Sequence, residues 1–188
     1  MTKKRVLIVE DEAIIAIHLK NTLAGMGFEV AGSAQTAKDA IDICGEARPD
    51  LILMDIVLPG GMDGIEASTI IRSSHDIPVV YITGNADMAT VKRARETNPY
   101  GYVIKPVNAQ DLFSTIDTAL HRHSLEMKLR ESEARHRLVT DMMSDVVWTT
   151  DADFRITFVS PSIEKVTGYG VNEPVSYTHL TLPTNREV

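Results

Sequence analysis

Cysteine is almost missing from this chain: Cys44 is the single thiol among 188 residues. No internal disulfide can form, and the chain fits a reducing compartment. Long apolar runs are also missing, the longest spanning four or five residues, where a membrane helix needs ~20. The basic Lys3 to Arg5 is followed by Val6 to Val9, but Glu10 and Asp11 close that run before a signal-peptide core can form. A cytoplasmic protein with no membrane contact is expected. Clustered positive charge is scarce too. Net charge is -7 and the pI is near 5.3, and the basic stretches at Lys3 to Arg5 and Arg122 to Arg137 are short or interleaved with Glu. Direct nucleic-acid binding is not expected, because it needs a basic surface that displaces counterions from phosphate.

What is present is a globular composition, 44% hydrophobic and 24% charged. The length suits one buried domain of about 120 residues plus something smaller. Four apolar runs are bounded by polar or turn residues: Val6 to Val9, Leu51 to Met54, Val79 to Ile82 and Tyr102 to Ile104. They read as parallel strands buried on both faces. A weaker fifth, Glu29 to Ala34, follows Gly25 and Gly27. Helical spacing fills the intervals, as in Ile15, Leu19, Leu23 and Met26, or Ala37, Ala40, Ile41 and Cys44. Further helical stretches cover Ile65 to Ile71 and Met88 to Ala94. Five alternations of strand and helix predict an α/β fold, a doubly wound five-stranded parallel sheet.

Chemistry in such sheets gathers at the carboxyl ends of the strands. There the sequence puts Glu10 and Asp11 after the first strand, Asp55 after the third, Thr83 after the fourth, and Lys105 with Pro106 after the fifth. Three carboxylates in one cleft repel each other unless a cation joins them, and their hard oxygens select magnesium, or a similar ion such as manganese. A carboxylate not consumed by the metal can act as nucleophile toward phosphorus. Lys105 and the Thr83 hydroxyl can then stabilise the transferring oxygens. Cys44, on its helix's apolar stripe, is expected in the core, and His18 on a solvated face.

The segments VLIVEDE, LILMDIVLPGGMDGIEA, VVYITG and YGYVIKP together resemble the receiver domains of bacterial and archaeal response regulators, over about two-thirds of the chain. The resemblance implies a flavodoxin-like fold and a Mg2+ (or Mn2+) site. Asp11 and Asp55 would ligate the ion directly, Glu10 through water, and Val57 through its backbone carbonyl. It implies that Asp55 is the phosphoacceptor, that Lys105 pairs with it, and that Thr83 and Tyr102 are the switch pair. It also implies a Lys105 to Pro106 bond that is often cis in the family. Val57 and Asn85, two residues past Asp55 and Thr83, are candidates for tuning the lifetime of the phosphorylated state. Val57 offers no side-chain hydrogen bond to the attacking water.

Beyond the receiver, residues 120 to 143 hold no Gly or Pro and are rich in helix formers, which predicts a long helix. A heptad reading through Leu120, His123, Met127, Ala134 and Leu138 is interrupted at Arg130, so a coiled coil is only weakly patterned. The stretch DVVWTT, a turn at Asp151 to Phe154, RITFV and SPSIEKVTGY resemble the first two strands and first helix of a PAS domain. Trp148 is expected in its core. VSYTHLTLPT, Val175 to Thr184, resembles the translated read-through of a transposon-end sequencing adapter, so the native frame is expected to continue differently. The expected organisation is a receiver at 1–125, a helical linker at 126–143, a partial α+β PAS fragment at 144–174 and a non-native tail at 175–188.

The function expected from these readings is acceptance of a phosphoryl group on Asp55 from a histidine kinase or phosphotransfer protein. The signal would pass through the helix to a PAS-containing output. A homodimer through the receiver or the linker helix is compatible with them, and turnover as an enzyme is not expected. A fragment of a larger hybrid sensor histidine kinase is the alternative. An aspartate-nucleophile phosphatase is a weaker one, because its second acid would stand where Val57 is.

Overall fold

A computed structural model describes residues 3–84, 88–142, 146–153 and 156–167. Asn85, residues 168–174 of the expected PAS fragment and the whole 175–188 tail lie outside the described residues. The chain divides into two units, Met1–Met127 and Lys128–Val188.

In the first unit β1 (Arg5–Val9), β2 (Glu29–Ala34), β3 (Leu51–Asp55), β4 (Val79–Thr83) and β5 (Gly101–Ile104) alternate with α1 (Ala13–Gly25), α2 (Ala37–Ala47), α3 (Gly64–His75) and α4 (Met88–Glu96). The last helix, α5 (Ala109–Met142), begins here and continues into the second unit. All strand pairs are parallel, in the order β2-β1-β3-β4-β5. This is the doubly wound, flavodoxin-like sheet the sequence predicts. From β1 the chain moves outward to β2, then returns to place β3 on the other side of β1. That reversal opens a crevice at the carboxyl ends of β1 and β3.

Alternation along the strands divides the core. Leu7, Val9, Ile52, Met54, Val79 and Tyr81 meet α2, α3 and α4 through residues such as Ala40, Cys44, Ile71 and Ala94. Val6, Ile8, Leu51, Leu53, Val80 and Ile82 meet Leu19 and Leu23 of α1 and Leu112, Ile116 and Ala119 of α5. Both faces are covered, which is why these strands read as unbroken apolar runs. Fully burying each of these Leu or Ile side chains is worth about 1.5–3 kcal/mol, so the central strands form a stiff base for the loops above them. β2 was the weakest reading because it is an edge strand with mostly half-exposed residues.

Local signals start the helices. Thr36 accepts from the Asp39 N–H at 3.2 Å to begin α2. Asp63 and Glu66 form a reciprocal capping box at α3, and Asn108 accepts from the Gln110 N–H at 2.8 Å ahead of α5. Each satisfies an N–H that the first helical turn leaves unpaired.

The second unit contains the distal part of α5, an antiparallel hairpin of β6 (Trp148–Thr150) and β7 (Ile156–Val159), and α6 (Ser162–Thr167). The Val147 N–H donates to Ser160 Oγ at 2.9 Å and the Ser160 N–H to the Val147 carbonyl at 2.7 Å, closing the open end of the hairpin. Trp148 corrects the expectation of a core residue: it is 47% exposed, as is Phe158. Among the described residues the two-stranded sheet carries no further strands to cover these rings.

Candidate functional site

The ends of β1, β3 and β5 bring together the groups that the sequence separates by up to 95 positions. Glu10 is fully buried and Asp55 is 5% exposed, while Asp11 is exposed. One carboxylate oxygen from each lies within 4.8 Å of the others. Lys105 reaches into this cluster from the end of β5. Its Nζ lies 2.6 Å from Asp55 Oδ2, 3.0 Å from Glu10 Oε1 and 2.8 Å from Glu10 Oε2. Asp55 Oδ1 accepts from the Val57 N–H at 3.0 Å. Both Asp55 oxygens are thereby held in fixed directions.

The electrostatics follow from burial and charge. Glu10 is pushed above the ordinary carboxylate range by burial, reinforced by the Asp55 charge and opposed by Lys105. Burial alone would lower the Lys105 pKa, but its hydrogen bonds to Asp55 and Glu10 reverse the sign and raise it. Lys105 therefore stays an ammonium at neutral pH and offsets one of three carboxylates. The excess negative charge calls for a cation. Glu10 Oε2 is buried and, despite the nearby ammonium, takes no hydrogen bond of proper geometry. An all-oxygen donor set with an acceptor still free fits a hard divalent ion.

Neighbouring strands fix the remaining groups. Asp55 pairs in register with Ile82, one residue before Thr83, and the Lys105 N–H donates to the Thr83 carbonyl at 2.8 Å. The Thr83 hydroxyl donates weakly to the Gly84 carbonyl at 3.4 Å, leaving it outside the carboxylate and ammonium network. Tyr102 lies opposite Tyr81 in the β4 to β5 register, with ring centroids 5.8 Å apart, and is 36% exposed. Val57 is 75% exposed, and the Lys105 to Pro106 bond is cis.

Three participants escaped the sequence reading. Gly64 opens α3 directly against the Asp55 backbone, where a Cβ would overlap the Asp55 carbonyl oxygen. The signal for it was the Asp63-Gly64 pair, a helix cap followed by a residue with no side chain. Arg93 of α4 donates to Asp63 at 2.8 Å, linking the caps of the site to α4. Tyr81, fully buried, bonds through its hydroxyl to Ser68 and, at 2.9 Å, to Thr97. No spacing rule would have connected those three residues.

A model of the family described as response regulator receiver domain matches residues 6–117. The chain is 36% identical over 119 residues to the transcriptional regulatory protein PdtaR of Mycobacterium tuberculosis, covering 63% of this chain and 58% of that protein. It is 33% identical over 126 residues to the DNA-binding response regulator MtrA of Mycobacterium leprae, covering 66% of this chain and 54% of that one. It thus spans little more than half the length of these relatives. The signal receiver domain of a modulated diguanylate cyclase from Desulfovibrio desulfuricans superposes with a TM-score of 0.64 at 36% identity, covering 66% of this chain and 99% of that one. The N-terminal domain of a response regulator/sensory box/GGDEF 3-domain protein from Carboxydothermus hydrogenoformans gives 0.61, also at 36% identity, with the same coverages. Among the described residues, no helix is long and apolar enough to cross a membrane.

Proposed function

Since the chain belongs to the response regulator receiver family, we propose that Asp55 accepts a phosphoryl group from the phosphohistidine of a histidine kinase or phosphotransfer protein. The observation that carries this reading is the placement of Asp55: nearly buried, its two oxygens oriented by Lys105 and the Val57 N–H, with Glu10 and Asp11 alongside. A magnesium or manganese ion would be held by Asp11, Asp55 and the Val57 carbonyl, with Glu10 acting through water, and would supply positive charge for the incoming phosphate oxygens.

An Asp55 oxygen bonds to phosphorus as the donor's phosphorus-to-nitrogen bond breaks, and the electron pair stays on the donor imidazole. Catalysis is mainly positioning and charge. The Lys105 ammonium, already 2.6 Å from Asp55, moves its pairing to the phosphoryl oxygens. The Thr83 hydroxyl, bonded only weakly at its present position, turns to donate to them as well. Tyr102 follows into the space behind Thr83, changing the surface of β5 and α4. The protein acts as a stoichiometric acceptor rather than an enzyme with turnover. An aspartate-nucleophile phosphatase would require a proton-transferring acid at position 57, and Val57 has none.

The reading extends to a cytoplasmic protein in which α5 links the receiver to a PAS domain opening at residues 144–174. Support for that extension comes from the hairpin followed by a helix. The Carboxydothermus protein, described as carrying a sensory box besides its response regulator, supports it further. Incubation with acetyl phosphate and magnesium tests the acceptor role. The intact mass should rise by one phosphoryl group in the native chain and not in Asp55→Asn. An equal gain in that variant would overturn the reading.

A further inference from the structure

Within α5, Leu112, Ile116 and Ala119 are fully buried against the sheet, and Leu120 packs at the edge of the same core. The helix then continues, and Leu120, His123, Ser124 and Met127 follow at the spacing that puts them on one face. That face is one wall of a cavity of about 630 Å³. The end of α2 (Cys44, Arg48), the α3 to β4 connection (His75, Asp76, Ile77) and Lys4 and Asp50, which precede β1 and β3, complete it. The cavity therefore lies at the amino ends of the parallel strands, the opposite end of the sheet from Asp55. Its volume falls within the range of about 300–1,000 Å³ that small-molecule sites occupy.

The polar groups of this cavity are unevenly satisfied. Asp50 already accepts from Lys4 Nζ at 2.7 Å and from the Arg5 N–H at 2.8 Å. Arg48 and His75 form no side-chain hydrogen bond or ion pair among the described residues. His123 Nε2 is buried and also takes no hydrogen bond among the described residues, while its ring stands edge-on to Tyr100 with centroids 5.6 Å apart. A buried nitrogen left in this way is unfavourable unless something meets it. Arg48 and Asp76 have φ of 45° and 49°, two of the three non-glycine residues with positive φ among those described. Gly or Asn is the usual residue at such helix ends, so these two side chains are kept on the cavity wall against backbone strain.

We propose that the cavity binds a small organic acid, its carboxylate taking hydrogen bonds from Arg48, His75 and His123 and its apolar body resting on Ile77, Leu120 and Met127. Cys44 contributes to the apolar part, because burial pushes its thiol up to about 11 and keeps it neutral. An inorganic anion would leave the apolar wall unused, and an uncharged apolar molecule would leave the donors unpaired. Asp76 opposes the carboxylate and limits its affinity. The inference does not depend on phosphorylation of Asp55.

Phenylacetate, titrated into the full chain and followed by backbone amide resonances, tests the proposal. The signals of Arg48, Asp76, Ile77 and His123 should move, with a dissociation constant on the order of 1 mM or below. Phenylacetamide, which keeps the ring and lacks the charge, and inorganic phosphate, which lacks the ring, should each bind roughly ten-fold more weakly. Arg48→Gln should weaken phenylacetate by roughly ten-fold. Asp76→Asn removes the opposing charge with a residue suited to left-handed backbone, and should tighten binding several-fold. Spectra of both variants without ligand verify that the fold is kept. Cavity signals unmoved at about 10 mM phenylacetate, ten times the expected constant, would overturn the proposal. So would equal binding of phenylacetamide, or weaker binding of phenylacetate by Asp76→Asn.

Discussion

A side chain on Gly64 would overlap the carbonyl oxygen of Asp55. The start of α3 therefore passes against the backbone of the acceptor residue, and its N–H donates to the Ile56 carbonyl at 3.0 Å. Gly64→Ala must push the turn after β3 away from the site. A loss of about 1–3 kcal/mol is expected from overpacking of this kind, measured by urea unfolding, together with slower acceptance of phosphate by the displaced Asp55. Unchanged stability and rate would show that the turn relaxes without moving the carboxylate.

Lys105 is the counter-charge to two buried or nearly buried carboxylates. Lys105→Met leaves both without it, and removal of one partner from a buried pair costs about 3–5 kcal/mol. The deficit should be largest in chelator and should shrink when magnesium is added, because the ion replaces part of the missing charge. Equal deficits with and without magnesium would place the cation elsewhere.

Val57 presents an exposed isopropyl group beside Asp55. Val57→Asn adds groups that can hold a water for hydrolysis of the acyl phosphate. A roughly ten-fold faster loss of label, about 1.4 kcal/mol in barrier height, is expected. An unchanged decay rate would exclude position 57 from control of the lifetime.

Asp50 accepts from the Arg5 N–H at 2.8 Å and from Lys4 Nζ at 2.7 Å. Burial by itself would raise its pKa, but these bonds and charges hold it below the ordinary value. A carboxyl depressed in the folded state contributes stability above its unfolded pKa of about 3.9, and that contribution disappears as pH falls through the lower folded value. The stability gap between the native chain and Asp50→Asn should be constant near neutrality and narrow below about pH 4. A gap that widens in acid would contradict the assignment.

The sheet and the polar groups at its strand ends were legible in the sequence because each central strand is buried on both faces. Leu51 to Met54 and Val79 to Ile82 are therefore continuous apolar runs, and Asp55 and Thr83 stand out as the polar residues at which those runs end. Other features depend on which backbone segments cross in space. The contact of Gly64 with Asp55, the Lys105 bridge to Glu10 as well as Asp55, and the bonds of the Tyr81 hydroxyl have no periodicity to announce them. Trp148 misled for a different reason: the resemblance of its segment to a PAS strand implied a core, but among the described residues that sheet has two strands.

The most direct measurement locates the modification chemically. The chain is treated with acetyl phosphate and magnesium, then with borohydride, which reduces an aspartyl phosphate to homoserine, and its peptides are sequenced by mass spectrometry. Homoserine at position 55, absent in chelator and absent from Asp55→Asn, is the predicted result. Reduction of a phosphorylated Glu10 would give 2-amino-5-hydroxypentanoic acid and of Asp11 a homoserine at position 11, both distinguishable by mass; conversion at either, or conversion nowhere while the chain still gains phosphate, would contradict the account.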